Sequence, residues 1–584
     1  KSVIIFNMLN LFLKIFNLTY RFNKKNVIKL NFILIFSSII EGLSIALIFP
    51  ILGLILENKE SLLFFEKIPY VTINPDKTLM FALFFLIVIF FLKSITLLYF
   101  SWWKSGFIYK VNNKFSKQVF ENYLNEDFEF YLKNKPSLLL RNSYDEIRVF
   151  VQSIDLFFKL LTEIIVFIFI SLVLFIFQPK ITLGIFIIFG VIAFLFLYFT
   201  KNMLKTWGYN KINFSGKLIQ ILQQSYESIK YLKISNLSNK VTTDYDKNIK
   251  GFSKYSRLAM FFADIPKNFL EFISVIILIF TILFLFQFYG KDFETIIPTL
   301  GLIGAASFRI IPGVNRIVNI TQMIYNMNSS IQAVYSELIR NKKTSVISND
   351  KILLHDSISF ENVGYAYPNS RNYVFQNLNF KIKKGDCLCI KGESGIGKTT
   401  IIDLISGLIR PSKGQIKVDG KNLNNLQLIR SWQNNIGYIP QQTVLYNATI
   451  LDNITYGKNF KKADEENLNK AINYSELNDF IKKQPGGLQY EISERGSNLS
   501  GGQVQRFAIA RGLYTNPDIL ICDEFTSSLD NPTQEKILNS LNALVGKTTI
   551  IFISHNNKVI ERANKILELK KDQSENIIVN YESK

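Results

Sequence analysis

A glycine-rich loop at 392–399 carries residue types that bind phosphate groups. In order it reads Gly392, Glu393, Ser394, Gly395, Ile396, Gly397, Lys398 and Thr399, with Thr400 directly after it. The apolar run 387–391 predicts a strand before the loop, and the run 400–408 predicts a helix after it. In that setting, backbone N–H groups and the positive end of the helix converge on phosphate oxygens. The motif predicts that Lys398 contacts the β- and γ-phosphates of a nucleoside triphosphate and that the Thr399 hydroxyl ligates Mg²⁺.

A pair of carboxylates follows a second strand-like run. The apolar residues 519–522 lead directly into Asp523 and Glu524. At the end of a buried strand, Asp523 is predicted to hold Mg²⁺, and Glu524 to polarise the attacking water as a general base. The alternative is that the two carboxylates only cap the strand.

A short signature, about a hundred residues after the glycine loop, narrows the class of nucleotide enzyme. It reads Leu499, Ser500, Gly501, Gly502 and Gln503. Together, in this order, the loop and the signature resemble the ATPase domain of ATP-binding cassette (ABC) transporters. In that family the signature binds the ATP that the partner domain holds. The resemblance implies ATP and Mg²⁺ as cofactors, a dimer, and hydrolysis at both composite sites.

Further positions match motifs of the same family. Gln441 resembles the glutamine that senses Mg²⁺, and His555 resembles the switch histidine that contacts the γ-phosphate. Tyr367 matches the aromatic residue that stacks on adenine, although its neighbour Tyr365 is an alternative for that role. The segment 527–530 resembles the loop that couples the two ATP sites. The run 494–496 resembles a motif of the exporter class.

The elements around these motifs predict a multidomain membrane protein. Strand-like runs in the second half alternate with helical ones, as in an α/β domain; they lie at 358–363, 387–391, 415–418, 436–439, 518–522 and 548–553. The first half predicts an all-α transmembrane domain of six helices. The expected domains are an interfacial helix at 1–27, a transmembrane domain at 28–330, a linker at 331–356 and an ABC nucleotide-binding domain at 357–584.

Six apolar stretches of the first half are long enough to span a bilayer, which takes about 20 residues as a helix. They lie near 30–56, 78–103, 154–178, 181–200, 269–290 and 294–325. The long intervals after the second and fourth stretches read as helical extensions into the cytoplasm. The loop 57–77 is expected outside, with a small helix near 60–71.

Charge and cysteine usage exclude several classes. The formal net charge is +21, but Lys and Arg concentrate between apolar spans, which is typical of cytoplasmic membrane loops rather than of nucleic-acid binding. All three cysteines lie after residue 386, so no extracellular disulfide framework is expected. At the other end, Lys14, Arg21, Lys24 and Lys25 alternate with apolar residues, which favours an amphipathic helix on the inner membrane surface over a signal peptide.

Four basic residues fall in or near the spans: Lys93, Lys267, Arg309 and Arg316. Ionisable groups in a membrane usually face a cavity or each other. Because Arg309 and Arg316 are seven residues apart, they share a helix face and suit a polyanion such as pyrophosphate. The alternatives are that they pair with Glu41 and Glu271 or extend to the interface.

The segment 309–317 resembles the sixth span of bacterial lipid-linked oligosaccharide flippases, as do Glu41 before Pro50 and the segment 265–271. The resemblance implies ATP-driven flipping of an undecaprenyl pyrophosphate-linked glycan from the inner to the outer leaflet of the bacterial plasma membrane, with the ATPase in the cytoplasm. It implies that the four basic residues engage the pyrophosphate, and Lys93 and Lys267 replace arginines there. The alternative is an exporter of drugs, other lipids or peptides; an ATPase acting on ribosomes or DNA, and a receptor with an inactive ATPase, fit less well.

Overall fold

The computed structural model describes residues 2–46, 51, 75–177, 179–289, 293–340, 350–368, 370, 372–457, 464–493, 496, 498–571 and 577–583. The chain forms two compact units. The first comprises Lys1–Asn125 and Asn134–Lys343, and the second Glu126–Lys133 and Thr344–Lys584. The predicted outer helix near 60–71 lies outside the described residues.

The first unit is helical throughout its described part, as predicted. Its helices are α1 Ser2–Phe22, α2 Lys24–Ala46, α3 Pro75–Leu124, α5 Pro136–Arg141, α6 Ile147–Phe177, α7 Pro179–Glu227, α8 Ile229–Ile234, α9 Ser238–Tyr289, α10 Phe293–Asn326 and α11 Asn328–Ile339, with one π-helical turn at Asn142–Glu146. The short helix α4, Phe128–Lys133, belongs to the second unit. Helices α3, α7 and α9 are 50, 49 and 52 residues long, so the intervals expected as helical extensions are indeed helical.

The predicted spans fall on helices α2, α3, α6, α7, α9 and α10, and the first of them, 30–56, continues past Ala46 beyond the described part of α2. Among the described residues, one helical segment, Leu79–Leu124, has the length and the apolar composition needed to cross a membrane. Helix α10 packs against α6 through a small apolar cluster around Val166, Val314 and Val318. It also approaches α7 closely at Gly208, where a Cβ atom would lie 2.1 Å from the carbonyl oxygen of Asn326. Glycine is therefore required for this approach of the two backbones.

The second unit is an α/β domain built on two larger sheets. Its strands are β1 Ser357–Tyr365, β2 Phe375–Lys383, β3 Cys387–Gly392, β4 Lys413–Val418, β5 Lys421–Asn422, β6 Ile436–Ile439, β7 Ala448–Thr449, β8 Glu491–Ile492, β9 Ile519–Asp523, β10 Thr549–Ile553, β11 Lys565–Lys571 and β12 Ile577–Ser583. Its helices after α4 are α12 Lys398–Ile405, α13 Leu426–Gln433, α14 Ile450–Thr455, α15 Glu465–Tyr474, α16 Asn478–Lys482, α17 Gly501–Tyr514, α18 Asn531–Asn542 and α19 Asn557–Arg562.

The main sheet has the order β12-β11-β3-β10-β9-β6, and β6, β9, β10, β3 and β11 run parallel. The other sheet, β2-β1-β4-β5, is antiparallel. All six runs predicted as strands are confirmed. Buried apolar residues cover both faces of the central strands, as parallel strands require. The three cysteines are free and buried in this core, as expected for Cys387 and Cys389.

Candidate active site

The glycine loop joins β3 to α12, as the sequence predicts. Gly395 and Gly397 have φ angles of +80° and +103°, a region in which residues with a side chain are strained. A Cβ atom on Gly397 would also lie 2.8 Å from a Val374 methyl group. These two glycines allow the chain to turn sharply into the N-terminus of α12, where backbone N–H groups are available to phosphate oxygens.

The Lys398 ammonium contacts the backbone of its own loop. Its Nζ donates to the carbonyl oxygens of Gly392 at 2.7 Å and Glu393 at 3.2 Å, and it lies 2.7 Å from His555 Nε2. Burial lowers the pKa of Lys398, while the nearby carboxylates of Glu524 and Asp523 oppose that effect. The loop lysine and the histidine at the end of β10 therefore meet in one site, although 157 residues separate them.

The second pair of site residues is Gln441 and Glu524. Gln441 Nε2 donates to Glu524 Oε2 at 2.5 Å. Glu524 has a φ of +42°, and its backbone N–H donates to the Ile553 carbonyl at 3.1 Å. Because β9 and β10 are adjacent, the turn after β9 points the Glu524 carboxylate away from the sheet and towards the end of β6, where Gln441 lies. Local backbone strain of this kind is typical of catalytic residues.

Asp523 ends β9 and is buried. Burial is the main cause of its raised pKa; Glu524 adds to the increase and Lys398 opposes it. No hydrogen bond from the described residues reaches the Asp523 carboxylate, so a buried anionic oxygen is available for a cation. A carboxylate oxygen suits Mg²⁺, which prefers oxygen ligands; the Thr399 hydroxyl as a second ligand stays a prediction from sequence.

Sequence reasoning missed Asp403, a carboxylate on α12 close to this site. Burial, together with the charge of Asp523, raises the pKa of Asp403 to about 6. A single acidic residue inside the apolar run 400–408 is the signal that could have identified it.

The two candidate tyrosines differ in accessibility. Tyr365 is 1% exposed, and its hydroxyl has no hydrogen-bond partner among the described residues. Tyr367 is partly buried, its ring meets Tyr365 edge-on with centroids 5.1 Å apart, and its hydroxyl lies 2.8 Å from Thr400 Oγ1. Only the Tyr367 ring can offer a face to a base, and it lies beside the helix that follows the glycine loop.

The signature begins α17. Ser500 caps this helix: its Oγ accepts from Gln503 N at 3.3 Å, while Gln503 Oε1 accepts from Ser500 N at 2.9 Å. Gly502 packs closely against Ser528, because a Cβ atom there would lie 3.0 Å from the Ser528 carbonyl oxygen. Among the described residues, no hydrogen bond joins Ser500–Gln503 to the glycine loop. Residues Glu494 and Arg495 lie outside the described part.

In the first unit, Arg316 on α10 pairs with Glu163 on α6. The guanidinium donates from Nε to Oε1 at 2.7 Å and from Nη2 to Oε2 at 3.0 Å. The side chains of Arg316 and Glu163 are 40% and 13% exposed. The sequence had suggested Glu41 and Glu271 as partners; for Arg316 this is wrong, since helical spacing does not reveal which neighbouring helix packs at that level.

The other basic positions are not brought together with Arg316 by any described contact. Lys93 on α3 is half-buried, and its Nζ lies 5.2 Å from the Phe90 ring centroid. Lys267, just after Pro266 within α9, is exposed. The side chains of Arg309 and Glu41 lie outside the described residues.

A row of amides on α10 was not singled out from sequence. It consists of Asn315, Asn319, Gln322 and Asn326, and we call it the amide ridge. The spacing of four, seven and eleven residues places all four on one helix face. Gln322 is 1% exposed, and both polar atoms of its side chain are buried. The side-chain oxygen of each asparagine is buried as well. None of these atoms has a hydrogen-bond partner among the described residues.

Comparison with known proteins matches each unit to a domain of ABC transporters. The family model described as "ABC transporter transmembrane region" matches residues 32–304, and the model described as "ABC transporter" matches 375–527. A solved bacterial Atm1-family ABC exporter with ATP bound has the same fold, with a TM-score of 0.75, 20% identity, and coverage of 94% of this chain and 93% of that one.

Curated relatives are similar over shorter regions. An ATP-dependent lipid A-core flippase of Methylobacillus flagellatus is 38% identical over 36% of this chain and 36% of its own length. Another from Coxiella burnetii is 32% identical over 48% of this chain and 47% of its own length. ABC transporter B family member 14 of Arabidopsis thaliana is 35% identical over 49% of this chain and 22% of its own length. The chain thus spans less than half the length of each of these relatives.

Proposed function

We propose that this chain, which carries the transmembrane and ATPase domains of an ABC transporter in one polypeptide, is half of an ATP-driven exporter. Its cargo is an oligosaccharide linked to undecaprenyl pyrophosphate, which it moves from the inner to the outer leaflet of a bacterial plasma membrane. One observation supports ATP hydrolysis by this chain. Lys398 contacts His555, and Gln441 contacts Glu524, in one site at the carboxyl ends of the parallel strands.

The residues of this site divide the chemistry of hydrolysis among them. Lys398 and the backbone N–H groups of the loop hold the phosphates. Glu524 accepts a proton from the attacking water, and Gln441 orients its carboxylate by the 2.5 Å hydrogen bond. When ATP binds, Lys398 turns from His555 to the phosphates, and His555 then contacts the γ-phosphate. Asp523 and Thr399 would hold Mg²⁺, which would supply positive charge to the β- and γ-phosphates.

The half-transporter architecture, with one transmembrane domain and one ATPase domain in the chain, supports a homodimer. The signature presents Ser500 and the N-terminus of α17 at one surface, and the Ser500 backbone and hydroxyl are already arranged by the capping interaction with Gln503. A helix N-terminus favours anionic groups. ATP held on one subunit's loop is then closed by the partner's signature. Tyr367, the tyrosine with an accessible face, stacks on the adenine.

Two short helices suit the transfer of this closure to the membrane domain. Helix α4, Phe128–Lys133, lies in the chain between α3 and α5 of the first unit and yet belongs to the ATPase unit. Helix α8, Ile229–Ile234, has no buried residue. It lies in the chain between the long helices α7 and α9. We therefore propose α4 and α8 as the turns that couple ATP hydrolysis to transport.

Support for the cargo comes from the charge of the membrane domain and from relatives named as lipid A-core flippases. A pyrophosphate cannot cross hydrocarbon unaided, and Arg316 offers a guanidinium that binds such a group through two hydrogen bonds. In the described conformation the Glu163 carboxylate occupies two of its donors. Pyrophosphate therefore competes with Glu163 for Arg316. Lys93 and Lys267 contribute point charges, and Arg309 lies two helical turns from Arg316.

Cargo-stimulated ATPase activity in lipid nanodiscs tests this assignment. We expect undecaprenyl pyrophosphate bearing a short glycan to stimulate hydrolysis by wild-type protein several-fold, and undecaprenol to have no effect. Arg316→Ala should lose the stimulation while its basal ATPase activity persists. Arg148→Ala, which removes an exposed arginine elsewhere in the first unit, is the matched control. Equal stimulation of Arg316→Ala and wild type would contradict the cargo; stimulation by apolar drugs or peptides instead would favour the general exporter.

A further inference from the structure

Four exposed cations surround the junction of α1 and α2. Arg21 ends α1, and Lys24, Lys25 and Lys29 occupy the first two turns of α2; we call this set the basic collar. None of the four forms an ion pair with any described residue. Residues 1–40 contain six Lys and Arg residues and no Asp or Glu. The collar is therefore an uncompensated positive surface.

Aromatic rings hold two of these cations in place. Lys24 Nζ lies 5.7 Å from the centroid of the Tyr20 ring, and Lys29 Nζ lies 5.2 Å from that of Trp103 on α3. Tyrosine and tryptophan concentrate where hydrocarbon meets water, and a cation over the ring face gains electrostatic attraction. The collar thus has the composition of a membrane interface.

The exposed face of α2 becomes apolar directly below the collar. Ile28, Phe32, Ile35 and Phe36 are all exposed, and at 3.6 residues per turn they share one side of the helix with Lys24 and Lys25. Val27, Leu30 and Leu34 on the opposite side are buried in the unit. A lipid that covers the exposed apolar residues would therefore place its headgroup beside the lysines.

Helix α1 contacts α11 through Lys14. Lys14 Nζ donates to Gln332 Oε1 at 2.5 Å and lies 4.9 Å from the Tyr335 ring centroid, both on α11. Helix α11 ends at Ile339, and the ATPase unit begins again at Thr344. Because Lys and Arg concentrate on the cytoplasmic side of membrane proteins, we assign the collar to the inner leaflet, where anionic lipids make the surface potential negative.

We propose that the basic collar binds the phosphate groups of anionic phospholipids in the inner leaflet, with their acyl chains against the exposed face of α2. The shared orientation of cations and apolar side chains selects a lipid over a soluble anion, since a soluble anion would gain nothing from Ile28 or Phe32. No described contact joins the collar to Arg316, and lipid binding at the collar does not depend on which lipid-linked glycan is moved.

Native mass spectrometry of the full-length protein, taken from an equimolar mixture of phosphatidylglycerol and phosphatidylcholine, tests the site. Wild type should retain phosphatidylglycerol in preference, and raising the salt concentration should weaken that preference because the attraction is electrostatic. The variant Arg21→Gln/Lys24→Gln/Lys25→Gln should reduce the preference about tenfold or more. Its ATPase activity in detergent reports whether it is folded.

The matched control is Lys240→Gln/Lys247→Gln/Lys254→Gln, which removes the same charge from exposed positions on α9. It should keep the lipid preference of wild type. Equal loss in both triple variants would mean that net charge alone attracts the lipid, and would overturn the site. Absence of any preference in wild type would do the same. If the collar triple variant fails to fold, Lys25→Gln and Lys25→Arg replace it, and only the glutamine variant should weaken binding.

Discussion

The Glu163 carboxylate accepts two hydrogen bonds from the Arg316 guanidinium, at 2.7 and 3.0 Å, and so joins α6 to α10. The pair lies beside the apolar cluster that contains Val166 and Val314, so apolar side chains border it on one side. An arginine in such a place would be costly without its partner. The pair therefore stabilises the described conformation and at the same time restrains a residue proposed to bind cargo.

A double-mutant cycle measures this coupling. Glu163→Gln and Arg316→Gln should each lower the melting temperature, and the double variant should lose less than the sum of the two. We expect a coupling of about 1–2 kcal/mol, between the values for exposed and buried pairs. The exposed pair Lys250–Asp246 serves as control and should give about 0.5 kcal/mol or less. Additive losses at Glu163 and Arg316 would show that the pair contributes no coupling.

The two neighbouring tyrosines should respond differently to substitution. Tyr367→Ala removes the ring proposed to stack on adenine and should raise the KM for ATP about tenfold, whereas Tyr367→Phe should preserve it. Tyr365→Phe removes a buried hydroxyl without a described partner and should leave KM unchanged while stability stays equal or rises. Steady-state ATPase kinetics and thermal unfolding check both. A KM increase in Tyr365→Phe but not in Tyr367→Ala would reverse the assignment.

The amide ridge should be reachable by water. A buried amide without a partner costs about 1–3 kcal/mol, so we expect water to satisfy Gln322. Gln322→Cys should then react with a small water-soluble methanethiosulfonate, and Val318→Cys should not. Both positions are 1% exposed and lie one turn apart on α10, which makes them a matched pair. The three native cysteines are buried and give a low background. Equal reactivity of the two variants would contradict a hydrated ridge.

Asp403 should make stability depend on pH in a defined direction. Its pKa is about 6 in the folded protein, above the ordinary value of 3.8, so the folded state binds the proton more tightly than the unfolded state. The ATPase domain therefore loses stability as the pH rises from about 4 to about 6, and the cost persists at higher pH. Asp403→Asn should raise the melting temperature at pH 7 in EDTA, and the gain should shrink towards pH 4. A gain independent of pH would contradict this origin.

The sequence predicted the ATPase domain in detail because its signals are local. Gly397 and Lys398 belong to one loop, and the strands that carry Asp523 and His555 are short apolar runs with polar ends. Strands β2, β5, β7, β8, β11 and β12 were not predicted. Strands β5, β7 and β8 have two residues each, and β2 and β12 are edge strands. The exposed positions of β2 are Gln, Asn and Lys, of which Asn and Lys are uncommon in strands. The six membrane stretches were equally visible as long apolar runs.

Relations between distant elements were beyond the sequence. The partner of Arg316 depends on which face of α6 packs against α10, so Glu163 could not be identified from spacing within one helix. The same holds for Asp403, whose raised pKa depends on Asp523 across the loop. The choice between Tyr365 and Tyr367 also needed burial, since the two residues are two positions apart in the chain and both are aromatic.

The most direct test of the proposed function is inversion of a lipid-linked glycan in proteoliposomes. Undecaprenyl pyrophosphate carrying a short glycan is placed with the protein in sealed vesicles, and a glycan-modifying enzyme outside reports how much glycan changes leaflet when ATP is added. We predict ATP-dependent inversion by wild type and none by Glu524→Gln, which should bind ATP but hydrolyse it at least a hundredfold more slowly. A preparation that hydrolyses ATP normally and leaves the glycan in its original leaflet would contradict the proposed function.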